Sequence, residues 1–449
     1  MSAGPFTRLL PLAALSGDPD AVTSPTTPTD SADVSPATPT NGADVSPATP
    51  SSAEVGSKAE RLGAALRAGL PVLPGFVVPV TEARPALQAA ASAVRAHGIA
   101  AGRLEVLRHS IDSAFTEELR GVVDALGGPV IVRSSSPLES DGRWAGAFSS
   151  VTGVGREDVA AAVRSCWASA LALDPLRRLE GCGLELEALE LAVLVQPEIV
   201  PDSGGVARIT ANAVVVEGVH GHPGALLAGW AEGARDGALA ELVGSRTVAD
   251  AAEVAERVHA GLGDDVIEWA GCGGKVWLLQ SLRSGTSPGG EPAAPPPVTG
   301  TPLPVAGTRV PGTPVVPGTA TGPLVACRPH EPAARDCRGA IVLVDRPVPG
   351  LAPLLFGARG VISRAGAASS HLAEVARSLG VPMVIGCRPE VVTGPDPAIG
   401  AWFATINGGT GEVVLTRRDS GRMSRRSPAK PASSRPCDPT TDPRHMFAS

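Results

Sequence analysis

The sequence predicts an α/β protein built as two folded blocks joined by a proline- and glycine-rich connection. Three observations carry this expectation. The chain has 449 residues, 43 % hydrophobic and 18 % charged, which suits two or three globular domains better than one. Apolar runs of strand length alternate with helical patterns along most of it. Gly (53) and Pro (44) are abundant, as long connections require, and residues 284–318 are dense in Pro, Gly and Thr.

Residues 7–15, TRLLPLAAL, read as a first strand and turn. Residues 18–52 contain the near repeat ADVSPATPTNG and ADVSPATPSSA and little that can pack, so they are expected to form a disordered insertion. Folded patterning resumes at Glu54. Leu62, Ala65 and Leu66 mark a helix over 58–68, Gly69 stops it, and VLPGFVVP follows as a buried strand. A helical region runs from about Thr81 to Leu126, broken around Gly98–Gly102. PVIVRSSS is a strand entering a loop, 156–174 are helical, and LAVLVQPEIV (191–200) is a strand. Further strands continue to about Gly229, a helix covers 248–261, and VIEWA and KVWLLQS pair around CGG. Residues 286–304 are the linker. Extended Pro-rich chain rises about 3.1 Å per residue, so Ser284–Gly300 spans roughly 50 Å. The second block, 305–416, alternates strand, helix and strand. The tail, 417–449, reads as disordered and basic.

Net charge is −7 and Tyr is absent, which argues against a nucleic-acid partner. Seven scattered cysteines without a CxxC pair favour reduced thiols over a disulfide framework or zinc site. The start has no signal-like apolar run, and no segment reaches the length of a membrane span. A cytoplasmic protein without membrane contact is therefore expected, and its oligomeric state is left open.

The most informative stretch is GARGVISRAGAASSHLAEVARSLGVPMVIG, 357–386. A strand ends in a loop of small residues. A helix then opens at Ser370, a good N-cap, and Leu372, Val375, Ala376 and Leu379 give it one buried face. Gly380 is its expected stop. His371 thus occupies the first helical turn. Unpaired backbone N–H groups and the positive helix end there favour an anion and a neutral imidazole. On the residues alone, a capping or surface histidine stays open.

This segment resembles the phosphohistidine domain of the phosphoenolpyruvate synthase and pyruvate phosphate dikinase family, which includes rifampin phosphotransferase. Gly366, Ser370, His371, Ala373, Arg377, Leu379, Gly380, Val381 and Pro382 fit the family pattern, while its Arg-Glu pair reads Arg377–Ser378. VVPGTATGPLV and GAIVLVDRPVPGLAPLL also follow that domain, so the likeness covers about 310–416. Three earlier pieces resemble the family's ATP-grasp half: EVGSKAERLGAALRAGLPVLPGFVV, VIVRSSSPLESDGRWAGAFSSV and VIEWAGCGGKVWLLQSLRS. The resemblance implies a two-lobed ATP-grasp domain at 1–285 and a smaller swivelling β/β/α domain at 305–416. It implies ATP and Mg²⁺ as cofactors. It places His371 as the phosphoryl-accepting residue. Lys58, Arg133, Glu139, Gln196 and Arg283 would bind the nucleotide, and Glu268 and Gln280 the metal. By the same resemblance His371 takes the β-phosphoryl of ATP and releases AMP. The phosphoryl then passes to an acceptor such as pyruvate, another small molecule or a separate acceptor-binding protein.

The sequence departs from the pattern in three places. The family's Gly-Leu-Gly-Glu reads Gly221-His222-Pro223-Gly224, without the acid. Arg283 stands one place later than its counterpart, which turns a strand side chain to the other face unless a bulge restores the register. The family's further substrate domain has no counterpart in these residues, so the acceptor is expected at a domain interface, on another polypeptide, or nowhere. Beside the active phosphotransferase stand two alternatives: a degenerate nucleotide-binding or regulatory relative, and a phosphohistidine carrier charged by a separate enzyme.

Overall fold

The computed structural model describes residues 6–15, 51–140, 142–283, 307–328, 337–389 and 401–417. The expected linker 286–304, most of the insertion 18–52 and the tail beyond Arg417 lie outside the described residues. The chain is mixed α/β. Among the described residues the strands form three sheets.

The first sheet contains β1 (Leu10–Pro11), β2 (Phe76–Val78), β3 (Val130–Ser135), β4 (Val151–Val154) and β5 (Ala192–Pro197), ordered β1-β2-β5-β3-β4. The second contains β6 (Ser203–Ile209), β7 (Val214–His220), β8 (Ala234–Arg235), β9 (Val266–Cys272) and β10 (Lys275–Leu282), ordered β10-β9-β6-β7-β8. Both are antiparallel throughout. Gly273 and Gly274, both at positive φ, make the β9–β10 turn, where a side chain on either residue would be strained.

Helices cover these sheets. They are α1 (Ser52–Arg67), α2 (Val80–His97), α3 (Ile99–Arg108), α4 (Ser113–Leu126), α5 (Val159–Ala168), α6 (Leu173–Cys182), α7 (Gly224–Leu227), α8 (Asp236–Val243) and α9 (Ser245–Leu262). The first helix begins earlier than the periodicity predicts. Ser51 and Ser52, assigned from composition to the insertion, form its start, and the helix is kinked at Gly56. Its apolar face (Leu62, Ala65) joins Leu194 of the first sheet and Trp269 and Leu278 of the second in one core. The two sheets are thereby fastened across α1.

The third sheet holds β11 (Thr308–Pro311), β12 (Thr313–Val316), β13 (Thr319–Cys327), β14 (Ile341–Val344), β15 (Gly360–Ser363), β16 (Met383–Ile385), β17 (Trp402–Asn407) and β18 (Glu412–Arg417). Its order is β11-β18-β17-β13-β14-β15-β16-β12. Neighbours β13 to β16 run parallel, and the flanking pairs are antiparallel. Arg417, read from composition as tail, closes β18 opposite Trp402. The helix α10 (His371–Ser378) crosses between β15 and β16. Its Leu372, Val375 and Ala376 are fully buried. Burying a Leu or Val side chain is worth about 1.5–3 kcal/mol, which anchors the helix.

Candidate active site

Ser370 caps α10 as its sequence position predicts: its hydroxyl accepts from the Ala373 N–H at 3.3 Å. This fixes the direction in which His371 leaves the helix. The imidazole is half-buried, and what it meets is Gly146, on the loop after β3. A Cβ placed on Gly146 would lie 2.6 Å from His371 Cδ2, and Gly146 has φ +65°. Glycine is thus required there by backbone and by space together. Burial lowers the pKa of His371 from its ordinary value; Glu268 opposes this and the positive charges of Arg178 and Lys58 reinforce it. The ring is therefore neutral at pH 7, with a nitrogen lone pair available.

The expected phosphate-binding residues gather around the kink in α1. Gly56 has φ +74°, and a Cβ there would strike the Ser135 carbonyl oxygen at 2.1 Å. The bare backbone lets α1 lie against the end of β3. Lys58, buried, then donates to the Ser134 carbonyl (2.7 Å) and pairs with Glu139 (3.2 Å). Glu139 also accepts from the Ser136 N–H at 2.9 Å. One strand turn away, Arg133 donates through Nη1 to the Leu279 carbonyl (2.7 Å) and to Gln196 Oε1 (3.2 Å). Gln196 in turn donates to the Leu73 carbonyl at 2.9 Å. Burial pulls the Arg133 pKa below its ordinary value, against Glu268 and Glu139, and the guanidinium stays charged.

Glu268 and Gln280 stand opposite one another on β9 and β10. The register shifts between Leu278 and Gln280, so Leu279 bulges and aims its carbonyl at Arg133. Glu268, Gln280, Arg208, Ser369, His371 and Glu374 line one small cavity. The structure thus brings His371 to Glu268 and Gln280, with Arg133 and Lys58 behind them. It does not bring Arg283 there. That exposed side chain donates to the Gly263 and Leu262 carbonyls at the C-terminus of α9, a usual place for a cation. The bulge lies upstream at Leu279, and Arg283 follows the last residue of β10.

Residues that sequence reasoning passed over hold the block carrying His371 against the rest. Glu374 pairs with Arg208 of β6 and, at 3.1 Å, with Arg377. Ser369 donates to Glu217, which also pairs with Arg235 at 2.8 Å. Arg346 donates to the Trp230 carbonyl at 2.7 Å. Arg178, fully buried, is gripped by Asp174 and donates to the carbonyls of Arg143 (2.8 Å), Ala145 (3.0 Å) and Pro349 (3.5 Å). It thus ties the Gly146 loop to the second block. The i, i+4 spacing of Asp174 and Arg178 was a visible signal, and so was an acid one turn from His371. Nothing local marked Arg208. At the altered stretch, His222 Nδ1 accepts from the Gly224 N–H at 2.9 Å, at the start of the short α7.

Among the described residues no three His, Cys, Asp or Glu side chains cluster as a protein-only metal site. Glu268 is nevertheless a buried carboxylate that makes no ion pair among them, and Gln280 stands opposite it in the β9–β10 register. One carboxylate plus a neutral oxygen fits Mg²⁺, which takes the rest of its shell from water and phosphate.

Residues 52–232 match the family described as pyruvate phosphate dikinase, AMP/ATP-binding domain. Residues 337–411 match the PEP-utilising enzyme, mobile domain. Lys58, Arg133, Glu139 and Gln196 fall in the first match, His371 in the second, and Glu268, Gln280 and Arg283 between them. The chain is 24 % identical over 452 residues to a probable phosphoenolpyruvate synthase of Archaeoglobus fulgidus, covering 84 % of this chain and 58 % of that one. It is 24 % identical over 400 residues to a probable phosphoenolpyruvate synthase of Methanothermobacter thermautotrophicus, covering 74 % and 57 %. The chain therefore spans a little over half the length of these curated relatives. Among solved structures, the holo-form of Thermococcus kodakaraensis aconitase X aligns with 25 % of this chain and all of that one, at 17 % identity and a TM-score of 0.20.

Proposed function

Because this chain belongs to the phosphoenolpyruvate synthase and pyruvate phosphate dikinase family, we propose that it is an ATP-dependent phosphotransferase that phosphorylates its own His371. The first two sheets would act as the two lobes of an ATP-grasp domain, and the third as a swivelling carrier. The observation that carries this reading is the seating of the His371 ring in one cavity with Glu268 and Gln280.

Lys58 and Arg133 would hold phosphate oxygens, Arg133 with the planar fork that suits them. Gln196 would face the base. Glu268 and Gln280 would hold Mg²⁺, which supplies charge neutralisation to the phosphates when bound. The neutral His371 ring attacks the β-phosphorus. The N–P bond forms as the bond from that phosphorus to the oxygen bridging the α-phosphate breaks, and AMP leaves. The second ring nitrogen keeps its proton, and the phosphoryl oxygens offset the charge on the ring. The γ-phosphoryl goes to water or phosphate. The remaining phosphoryl passes to a small-molecule acceptor or to an acceptor-binding protein. Catalysis is then mostly positioning and charge stabilisation.

The test is incubation with Mg²⁺ and ATP labelled in the β-phosphate. Acid-labile label is expected on the wild-type chain and none on His371→Ala; label that survives the substitution sinks the assignment. A second reading is favoured by one observation, the placement of Arg283 at the end of α9. In that reading the chain binds ATP without turning it over, and calorimetry would register binding while no AMP forms.

A further inference from the structure

We infer that Arg208 and Glu374 are positioning residues: their ion pair sets the rotation and height of the His371 helix over Glu268 and Gln280. This rests on the functional reading above for its consequence, but not for its geometry.

Glu374 lies three residues after His371, hence on the same face of α10 one turn along. Arg208 lies on the face of the second sheet that carries the oxygen donors. In the β6–β9 register Val206 stands opposite Glu268, and Arg208 two residues further along opposite Val266. Joining Arg208 to Glu374 therefore fixes one helical turn of α10 against a known level of the sheet. The imidazole, one turn away, falls at the level of Glu268.

Ser369, in the loop before α10, also bonds Glu217 across this interface, and Arg178 reaches the Pro349 carbonyl; neither holds the body of the helix. Gly142 contributes only closeness: a Cβ there would meet Glu374 Cγ at 2.9 Å and Ser378 Oγ at 2.4 Å. Arg346 reaches a main-chain carbonyl. Glu374 is different. It is buried between two guanidiniums, those of Arg208 and Arg377, and both bond its Oε2. A carboxylate placed so has two favourable directions and none in the wrong register. Buried ion pairs add little net stability over apolar pairs, yet losing one partner is costly, so their value here is register.

The experiment uses the full chain with ATP and Mg²⁺, comparing Arg208→Met, Glu374→Leu and the double variant. Hydrogen exchange reports docking through peptides covering 142–148 and 369–380. Calorimetry gives ATP affinity, and a single-turnover assay with β-labelled ATP gives the rate of acid-labile labelling. Each single variant is expected to lose exchange protection on both peptides. Each should also slow labelling by at least about tenfold: Arg208→Met leaves Glu374 held only by Arg377 of its own helix, and Glu374→Leu strands both guanidiniums. ATP affinity should hold. The double variant removes the Arg208 charge that Glu374→Leu alone strands, while Arg377 keeps its bond to the Ala368 carbonyl, so it should regain protection and rate relative to Glu374→Leu. The inference is overturned if either single variant keeps wild-type protection, or if the double variant is no better protected than the worse single. If the wild-type chain takes up no label, the functional reading fails, while the exchange measurement still decides the role of the pair.

Discussion

Replacing Gly146 with alanine should separate nucleotide binding from phosphoryl transfer. The new Cβ would stand 2.6 Å from His371 Cδ2, 2.8 Å from Cγ and 3.1 Å from Cβ. Non-bonded carbons settle at about 3.5–4.0 Å, so the ring must retreat by about 1 Å. The imidazole is rigid, and the helix beneath it is anchored by Leu372, Val375 and Ala376. The retreat therefore moves the whole second block or opens the interface. An L-residue at φ +65° adds roughly 1–2 kcal/mol of backbone strain. A misplacement of about 1 Å at a reacting atom is worth on the order of 100-fold in rate. Single-turnover labelling from β-labelled ATP should thus fall by about two orders of magnitude, with ATP affinity by calorimetry nearly unchanged. Combining the change with His371→Ala should relieve the steric part, so the double variant melts higher than Gly146→Ala alone. Wild-type labelling by Gly146→Ala would refute the reasoning, because the ring would not be reacting from this seat.

Other expectations follow from the same contacts. His371 has a folded pKa below its ordinary 6.5, so the unfolded chain binds a proton that the folded chain refuses. Its contribution therefore destabilises the folded chain as pH falls below 6.5 and vanishes above it. The urea midpoint of wild type should drop more on acidification than that of His371→Gln, and parallel curves would exclude this. Gly56→Ala should cost at least about 2 kcal/mol in denaturant titrations, from the collision with the Ser135 carbonyl and the positive φ, and should weaken ATP binding through Lys58. Arg178→Met strands Asp174 in a mostly buried site and should cost about 3–5 kcal/mol; a loss under about 1 kcal/mol would contradict the role given to Arg178.

What could be read in the sequence was local. The capped helix at Ser370, the glycine stop at Gly380 and the hairpin at Gly273–Gly274 each rest on a few neighbouring residues with one conformational solution. So does the mixed α/β character, which follows from alternating patterns. The helix α8 escaped because Asp236–Val243 is short and opens beside Asp236 at positive φ, without an ordinary cap. The start of α1 escaped because Ser51 and Ser52 share the composition of the repeat before them, and a helix N-terminus favours serine too. The ties between blocks were illegible for another reason. Arg208 and Glu374 are 166 residues apart, and no pattern on β6 distinguishes an arginine facing solvent from one facing a second block. Arg283 shows the converse: its place in the sequence was visible, but it falls just beyond the end of β10, where the carbonyls of Leu262 and Gly263 at the end of α9 take it.

The pairing pattern separates the charges that dock from the charges that are left for chemistry. At the interface each acid is matched to a guanidinium: Glu374 to Arg208 and Arg377, Glu217 to Arg235, Asp174 to Arg178. Those acids are all paired and give the second block a defined seat, with one guanidinium in excess where Glu374 meets both Arg208 and Arg377. Within the cleft the partners are different. Arg133 is held by a carbonyl and an amide oxygen, which orient the guanidinium but leave its charge intact. Lys58 uses two of the three N–H groups of an ammonium, one on a carbonyl and one on Glu139. Glu268 is buried without an ion pair among the described residues. A polyanion can therefore add to Lys58 and Arg133 without displacing what positions them, and Glu268, which bears on Arg133 without pairing with it, keeps its oxygens for a cation. Magnesium and a triphosphate arriving together satisfy both demands at once, whereas either alone leaves one charge uncompensated. Nucleotide binding by this chain should accordingly depend steeply on Mg²⁺, and Glu268→Gln should remove most of that dependence while leaving docking intact.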